Sequence, residues 1–498
     1  MNFEGKIPVI VGITGHRNLR SEDKSALLKA VKAELEKIQK LCPKSPVVML
    51  TSLAEGADTL CADAAVELNI PVFAALPRDE KDYEKDFSNE PLERLKHHCI
   101  NAAEVFVVPD GKDIPPEGVN RDYQFRNAGR FVAQHSHVLI ALWDGKEGLS
   151  GCGTAEAVSF ADNVIHVFSP RMNDPDTENI GDVHYIGNRE DLEDALVKTD
   201  EFNALAENNQ GDSELEKISR SAGNLSRSNA KKFRTTLKLM AIFEAMLMLA
   251  FLLYDEANAL NMVFICGAML LSLMLCLWYA SKTDCHRRYI EYRALAESIR
   301  VQINLCRAAS NIEAASFMTW SQKQETLWIY LALRALCAIP CNIPKQDIRE
   351  CWVENQLNYH KNAKKRASRA DINSGRIIKT ALVISIAVYL VALILEICVN
   401  REVASFADHA GSFRQILKIV LGCASVITLL ITDYFGHLSL PRKLSDHEKM
   451  EKFYAEMSER LLREGQTDEL LELIAREELI ENGNWCSYQR DNKPEINI

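Results

Sequence analysis

Four windows of this chain are almost purely apolar, and each is about as long as a helix that crosses a bilayer. They are "LKLMAIFEAMLMLAFLLY" (237–254), "NMVFICGAMLLSLMLCLWYA" (261–280), "IIKTALVISIAVYLVALILEICV" (377–399) and "ILKIVLGCASVITLLITDYF" (416–435). Roughly 20 helical residues cover the ~30 Å of hydrocarbon in a membrane. The alternative, four buried helices in a large soluble core, asks for apolar neighbours on every side; the third window alone would need two covering partners. The windows therefore predict an α-helical membrane domain with four transmembrane helices.

The windows pair into two hairpins, 236–281 and 377–436. The turn of the first, "DEANAL" (255–260), has no Lys or Arg, and that of the second, "NREVASFADHAGSFRQ" (400–415), has two arginines. The opposite flanks are basic: "KKFRTTLK" (231–238), "KTDCHRR" (282–288), "KNAKKRASR" (361–369) and "PRK" (441–443). By the positive-inside rule these flanks face the cytosol. The first residues, "MNFEGKIP", lack a charged-then-apolar signal pattern. A multi-pass protein of the inner (cytoplasmic) membrane is expected, with N- and C-termini cytosolic. Each hairpin is followed by a charged, aromatic-bearing helical pattern, "HRRYIEYRALAESIR" or "HEKMEKFYAEMSERLL". This is a duplicated architecture of two spans plus a cytosolic helix, within a cytosolic helical region at 282–376 and a C-terminal one at 437–498.

At 498 residues the chain is long enough for two or three domains. Its net charge of −11 argues against a nucleic-acid partner, which would want a basic face. The fourteen cysteines include no CxxC pair and no Cys/His array at zinc spacing, so no metal site is expected. "CAIPC" (Cys337, Cys341) is the nearest thing to a pair, and cysteine usage fits reduced, structural thiols.

Residues 1–200 alternate strand and helix patterns. The strands are "PVIVGIT" (8–14), "VVMLTSL" (47–53), "PVFAALP" (71–77), "EVFVVP" (104–109), "HVLIALW" (137–143) and "VIHVFSP" (164–170). Near-continuous apolar strands separated by amphipathic helices, such as "EDKSALLKAVKAELEKIQKL" (22–41), predict a doubly wound parallel α/β sheet. Residues 201–235 are polar and read as a linker with some helix.

In such a sheet, ligands bind beyond the carboxyl ends of the strands. The first strand ends in "GITGHR": Gly12 and Gly15 permit close backbone approach, Thr14 adds a hydroxyl, His16 a hydrogen-bond donor, and Arg17 a guanidinium able to clamp a phosphate. The second runs into Glu55, Gly56 and Asp58. The fifth runs into Asp144 and Gly145, then a loop with Gly148, Gly151 and Gly153, and a helix opened by Thr154 and carrying Glu156. Three Gly- and acid-bearing turns at three strand ends predict one site for a phosphorylated ligand. Arg78 lies in a polar loop after the third strand and is within reach of a ligand, whereas the acids of "RDEKDYEKDF" read as a solvated face. Arg126 and Arg130, one helical turn apart, either steer phosphates into the cleft or pair with surface acids.

"VGITGHRNL", "SLAEGADTL", "LPRDEKDYEKDF", "AGRFVAQHSHVLIALWDG" and "GCGTAEAV" together resemble the SLOG superfamily of Rossmann-like domains over residues 6–200. That superfamily includes the Lonely Guy phosphoribohydrolases and ligand-sensing domains of bacterial defence systems. The hairpins and "YRALAESIRVQINL" resemble the SLATT class of membrane effectors associated with such sensors. The resemblance implies a nucleotide-derived ligand held by glycine loops, with no other cofactor. Lonely Guy enzymes carry a PGGxGTxxE loop whose glutamate helps break an N-glycosidic bond. Here Gly151, Gly153 and Thr154 fit, but serine and leucine replace the first glycine and the proline, and Glu156 falls one residue early. One helical residue is about 100° of rotation, which would point this carboxylate elsewhere.

Within the spans, Glu244 sits near the middle of the first window and Glu396 near the end of the third. A mid-span carboxylate should face a bundle interior or a water-filled path, so Glu244 is a gating candidate or an interhelical tie, while Glu396 reads as interfacial. The leading expectation is a homo-oligomeric sensor–effector: nucleotide binding in the α/β domain permeabilises the membrane, in antiviral defence. The alternatives are a membrane-anchored N-glycosidase using Glu156 or Glu55, and a scaffold that binds only proteins.

Overall fold

The computed structural model describes residues 2–111, 114, 118–146, 153–172, 178–206, 211, 213–257, 260–341, 343–400, 410–437 and 440–491. The strands are β1 (Val9–Gly15), β2 (Val47–Thr51), β3 (Val72–Leu76), β4 (Glu104–Val107), β5 (Val138–Trp143), β6 (Val164–Phe168) and β7 (Val183–Ile186). Interleaved with them are α1 (Lys24–Leu41), α2 (Ala57–Glu67), α3 (Glu80–Tyr83), α4 (Asn89–Asn101), α5 (Arg121–Gln134), α6 (Thr154–Ser159) and α7 (Arg189–Leu205). The remaining helices are α8 (Glu214–Ala257), α9 (Met262–Thr283), α10 (Cys285–Arg307), α11 (Trp320–Glu325), α12 (Leu327–Cys337), α13 (Asn355–Asn400), α14 (Ala410–His437), α15 (Leu440–Glu464) and α16 (Asp468–Asp491).

The chain divides into two compact units. The first takes in residues 1–225, 291–346 and 471–486, and the second 226–290, 347–470 and 487–498.

The first unit is built on a seven-stranded sheet in the order β4-β3-β2-β1-β5-β6-β7, parallel except for β7, which runs antiparallel to β6. All of β2 and β3 is buried, as continuous apolar strands must be when helices cover both faces. α1 turns a stripe of Leu27, Val31, Leu35 and Ile38 towards this layer, the i, i+4 spacing of one helical face. The strand order reverses at β1, which pairs with β2 on one side and β5 on the other. The crevice beyond this reversal is where an open α/β sheet accommodates a ligand. β7 was not expected from the sequence: four residues that alternate half-buried and exposed give no continuous apolar run.

The unit does not stop near residue 200. Ala335 and Ala338, at the end of α12 and just beyond it, share one apolar cluster with Ile10, Val48, Phe73 and Leu139. Arg334 pairs with Asp162 at 2.5 Å. Trp328 is buried beside Phe202 and Tyr292, and its indole N–H donates to Glu291 at 3.0 Å. Cys306 and Cys341 pair as a disulfide with Cα atoms 6.3 Å apart, so the expectation of reduced thiols throughout does not hold for these two.

The second unit is helical. Among the described residues, four helices are long and apolar enough to cross a membrane. In three of them no residue of the apolar window is buried, and Phe264 and Leu429 are 77% and 71% exposed. That exposure excludes the soluble-core alternative, in which the same side chains would be covered. α13 packs against α14 and α15. Ser385 and Thr428 share a hydrogen bond of 2.7 Å across α13 and α14, and Gly422 on α14 lies against Leu252 on α8. The stretch read as a linker is largely helix: α7 reaches Leu205, and α8 runs unbroken from Glu214 into the first span.

Both hairpins follow one plan. A helix of 44 or 46 residues is followed by one of 22 or 28 and then one of 23 or 25. α9 gives way to α10 at Asp284, a left-handed residue at φ 44°.

Candidate functional site

The turn after β1 is tied to both neighbouring strand ends by its backbone. The His16 N–H donates to Leu142 O at the end of β5, and the Ala57 N–H, opening α2, donates to His16 O, both at 3.0 Å. Two glycines make this crossing possible. A Cβ on Gly15 would lie 2.4 Å from that of Ala57 and 2.7 Å from Leu142 O. Gly56 has φ +91°, and a Cβ there would come within 2.1 Å of Arg17 O. The sequence thus brings the β1, β2 and β5 turns together by removing side chains where main chains cross.

These turns open onto a cavity of about 1120 Å³. Thr14, Gly15, His16 and Arg17 line it from β1, and Asp58 from the start of α2. Asp144, Gly153, Thr154 and Glu156 line it from β5 and α6. Gly12 does not reach it: this residue lies inside β1 opposite Leu50 and Leu139, where a Cβ would meet Ser136 Oγ at 2.3 Å. Glu55, Gly56 and Gly145 shape the turns but are not on the wall. Gly151, with Gly148, lies outside the described residues.

The wall chemistry is specific. His16 Nε2 accepts the Asp144 backbone N–H at 3.1 Å, and burial holds the imidazole below its ordinary pKa despite the nearby Asp144 carboxylate. The same Nε2 lies 3.3 Å from Asp144 Oδ1. Asp144 is buried and pairs with Arg171 at 2.7 Å. Asp58 accepts from Thr51 Oγ1 at 2.9 Å and from the Ala54 N–H at 3.3 Å, and burial pushes its carboxyl up to about 6. Glu156 lies on the wall despite its shifted position in the loop. Its Oε1 pairs with Arg126 at 2.5 Å, and its Oε2 is buried without a hydrogen-bond partner among the described residues.

Several wall residues escaped the sequence reading: Tyr83, Arg121, Phe125, Lys146 and Arg171. Phe125 has the guanidinium groups of Arg17, Arg78 and Arg121 at 5.0, 5.7 and 5.2 Å from its ring centre. Arg78 is not on the wall; it pairs with Asp86. Of the helical pair, Arg126 is on the wall, and both Arg126 and Arg130 lie over Phe160. The one local signal was the four-residue spacing of Arg121 and Phe125 on one face of α5; their meeting with Arg17 depends on strand order. Among the described residues, no group of three or more His, Cys, Asp or Glu side chains is placed to hold a metal ion.

In the membrane unit, Glu244 is half-buried on α8. Glu396 meets Arg414 in a forked pair, with contacts of 2.6 and 3.0 Å. In comparisons with known proteins, no family model matches the chain and no curated protein matches it.

Proposed function

We propose that this protein is a membrane-anchored sensor–effector. A nucleotide-derived signal binds in the cavity at the carboxyl ends of β1, β2 and β5, and the four-helix membrane region responds by oligomerising or permeabilising the bilayer. The reading joins a SLOG-like sensor to a SLATT-like effector in the bacterial inner membrane, with both termini cytosolic, acting in antiviral defence. The observation that carries it is the meeting of three turns on one cavity, in a chain that also has four helices able to cross a membrane. The energetic requirement is that the ligand binds the active state more tightly than the resting state.

The test uses the full chain in cells challenged with bacteriophage, followed with a potential-sensitive dye. Challenge should depolarise cells carrying the wild type and leave those carrying Gly153→Asp polarised at equal protein level. Gly153 occupies the N-cap of α6 at φ −104°, extended backbone that Asp adopts and a position where Asp favours a helix, so the change adds a negative charge to the wall. Depolarisation that persists in this variant would sink the ligand-gated reading. Native mass spectrometry of the full-length protein from infected and uninfected cells should show a nucleotide-sized adduct only after infection.

A second reading is a membrane-anchored nucleotide N-glycosidase. One observation favours it: Glu156 is on the cavity wall with one carboxylate oxygen unpartnered among the described residues. Incubating the purified protein with nucleoside monophosphates and NAD, then assaying for free base, decides it. Base release abolished by Glu156→Gln supports hydrolysis, and no release supports binding without turnover.

A further inference from the structure

We infer that the anionic group of the ligand is seated at the Tyr83–Arg17–Phe125 corner of the cavity, beyond β1 and β3, and not at the end lined by Asp144 and Arg171. The inference rests on the ligand-binding reading above and fixes which end of the cavity takes the phosphoryl group.

This corner presents donors without acceptors. Tyr83 is 1% exposed and lines the cavity, and its hydroxyl has no hydrogen-bond partner among the described residues. Buried polar atoms in native proteins are nearly always satisfied, so an orphan on a cavity wall marks a place where a ligand supplies the partner. Nε of Arg78, also over Phe125, is a second buried donor left unpaired. The Arg17 guanidinium is held over Phe125 and has no ion-pair or hydrogen-bond partner among the described residues.

Two carboxylates of this corner are already engaged. Asp86 is shared by Arg78 and Arg121, and Asp58 accepts from Thr51 and Ala54. Asp122 shares the wall. What is missing is an oxyanion with several acceptor oxygens facing the Tyr83 hydroxyl and the Arg17 guanidinium, which is the chemistry of a phosphate monoester. The other end of the cavity differs. There Arg171 is matched by buried Asp144, and Arg126 by Glu156. That end, with its cations already matched by carboxylates, suits hydroxyls and a base better than a second negative charge.

The experiment uses the full-length protein in detergent. Its unfolding temperature is read with inorganic phosphate against chloride at equal ionic strength, and its affinity for adenosine monophosphate and adenosine by calorimetry. Phosphate should raise the wild-type unfolding temperature, because a ligand that binds only the folded state stabilises it. Adenosine monophosphate should bind about tenfold or more tightly than adenosine, the difference expected of hydrogen bonds to a charged group. Tyr83→Phe and Arg17→Gln should each remove the phosphate response and bring the two ligands level, while Arg171→Gln should retain it. Arg17 is exposed, so its variant keeps the test open if Tyr83→Phe does not fold.

A phosphate response that survives at Tyr83 and Arg17 and is lost at Arg171 overturns the assignment and leaves the sensor reading standing. No response in the wild type to phosphate or the monophosphate also overturns it. The sensor reading falls separately, on depolarisation that ignores Gly153→Asp.

Discussion

Asp58 sits at the second position of α2 with its carboxylate cut off from solvent, holding the β2 turn through Thr51 and Ala54. Its proton affinity is raised from 3.8 to about 6 in the folded chain, chiefly by burial. Between those values the folded state keeps a proton that the unfolded chain has released, so this group's contribution to stability falls as pH rises through the window. Asp58→Asn removes the titration and keeps an acceptor for Thr51. Relative to the wild type it should gain roughly 2–3 kcal/mol more at about pH 7 than at about pH 4, read from unfolding temperatures. The glycines divide just as sharply. Gly56→Ala meets both a positive φ and a carbonyl oxygen, and should destabilise the first unit by about 1–3 kcal/mol. Gly223→Ala, inside α8 with nothing within 4 Å of its Cβ position, should raise helix stability by up to about 1 kcal/mol.

Among the elements, α8 bears most directly on the proposed signalling, because one continuous helix carries residues of both units. Proline at Lys231, an exposed position ahead of the first span, removes one backbone bond and clashes with the preceding turn at a cost of about 3 kcal/mol. Lys231→Pro should leave ligand binding intact by calorimetry and abolish depolarisation after phage challenge. Glu244, further along the same helix, is tested by Glu244→Gln: an altered ion leak places it on the conducting path, and an unchanged leak makes it an interhelical tie. In the second hairpin, Ser385→Ala deletes the bond to Thr428 and should weaken the α13–α14 pairing by about 0.6–1.7 kcal/mol, the range measured for such bonds in lipid.

On the scale of the whole molecule, the first unit is closed by chain that comes after the membrane hairpins. Leu471, Ile474 and Leu479 of α16 are buried in it, Glu478 pairs with Arg300 at 2.5 Å, and Asn482 donates to Ala294 O at 3.1 Å. Each buried aliphatic side chain contributes about 1.5–3 kcal/mol. Deleting residues 468–498 should therefore make the α/β unit sensitive to limited proteolysis, although every strand and cavity residue is retained. A fragment of residues 1–200 should show the same weakness. Persistence of a protease-resistant α/β core in either truncation would show that the later segments are dispensable for its folding.

The apolar helices were legible in the sequence because hydrocarbon thickness sets one length, and a local run of side chains meets it or does not. Five strands were legible because burial on both faces writes a continuous apolar run, and β4, as short as β7 and as little buried, because Val105, Phe106 and Val107 are apolar. β7 wrote no such run. Thr14, His16, Arg17, Asp58 and Asp144 were found because strand ends in an open α/β sheet are where turns carry ligand chemistry. Tyr83, Arg121 and Phe125 were not, since their meeting with Arg17 depends on strand order, which no local spacing encodes. The same holds for Cys306 with Cys341 and for α16 against α10. The sequence alone determined which segments become strands, spans and turns, because those follow from nearest neighbours along the chain. Only the tertiary structure decided which distant segments share a core and which donors face the cavity unpaired, because those depend on packing between residues far apart in the chain.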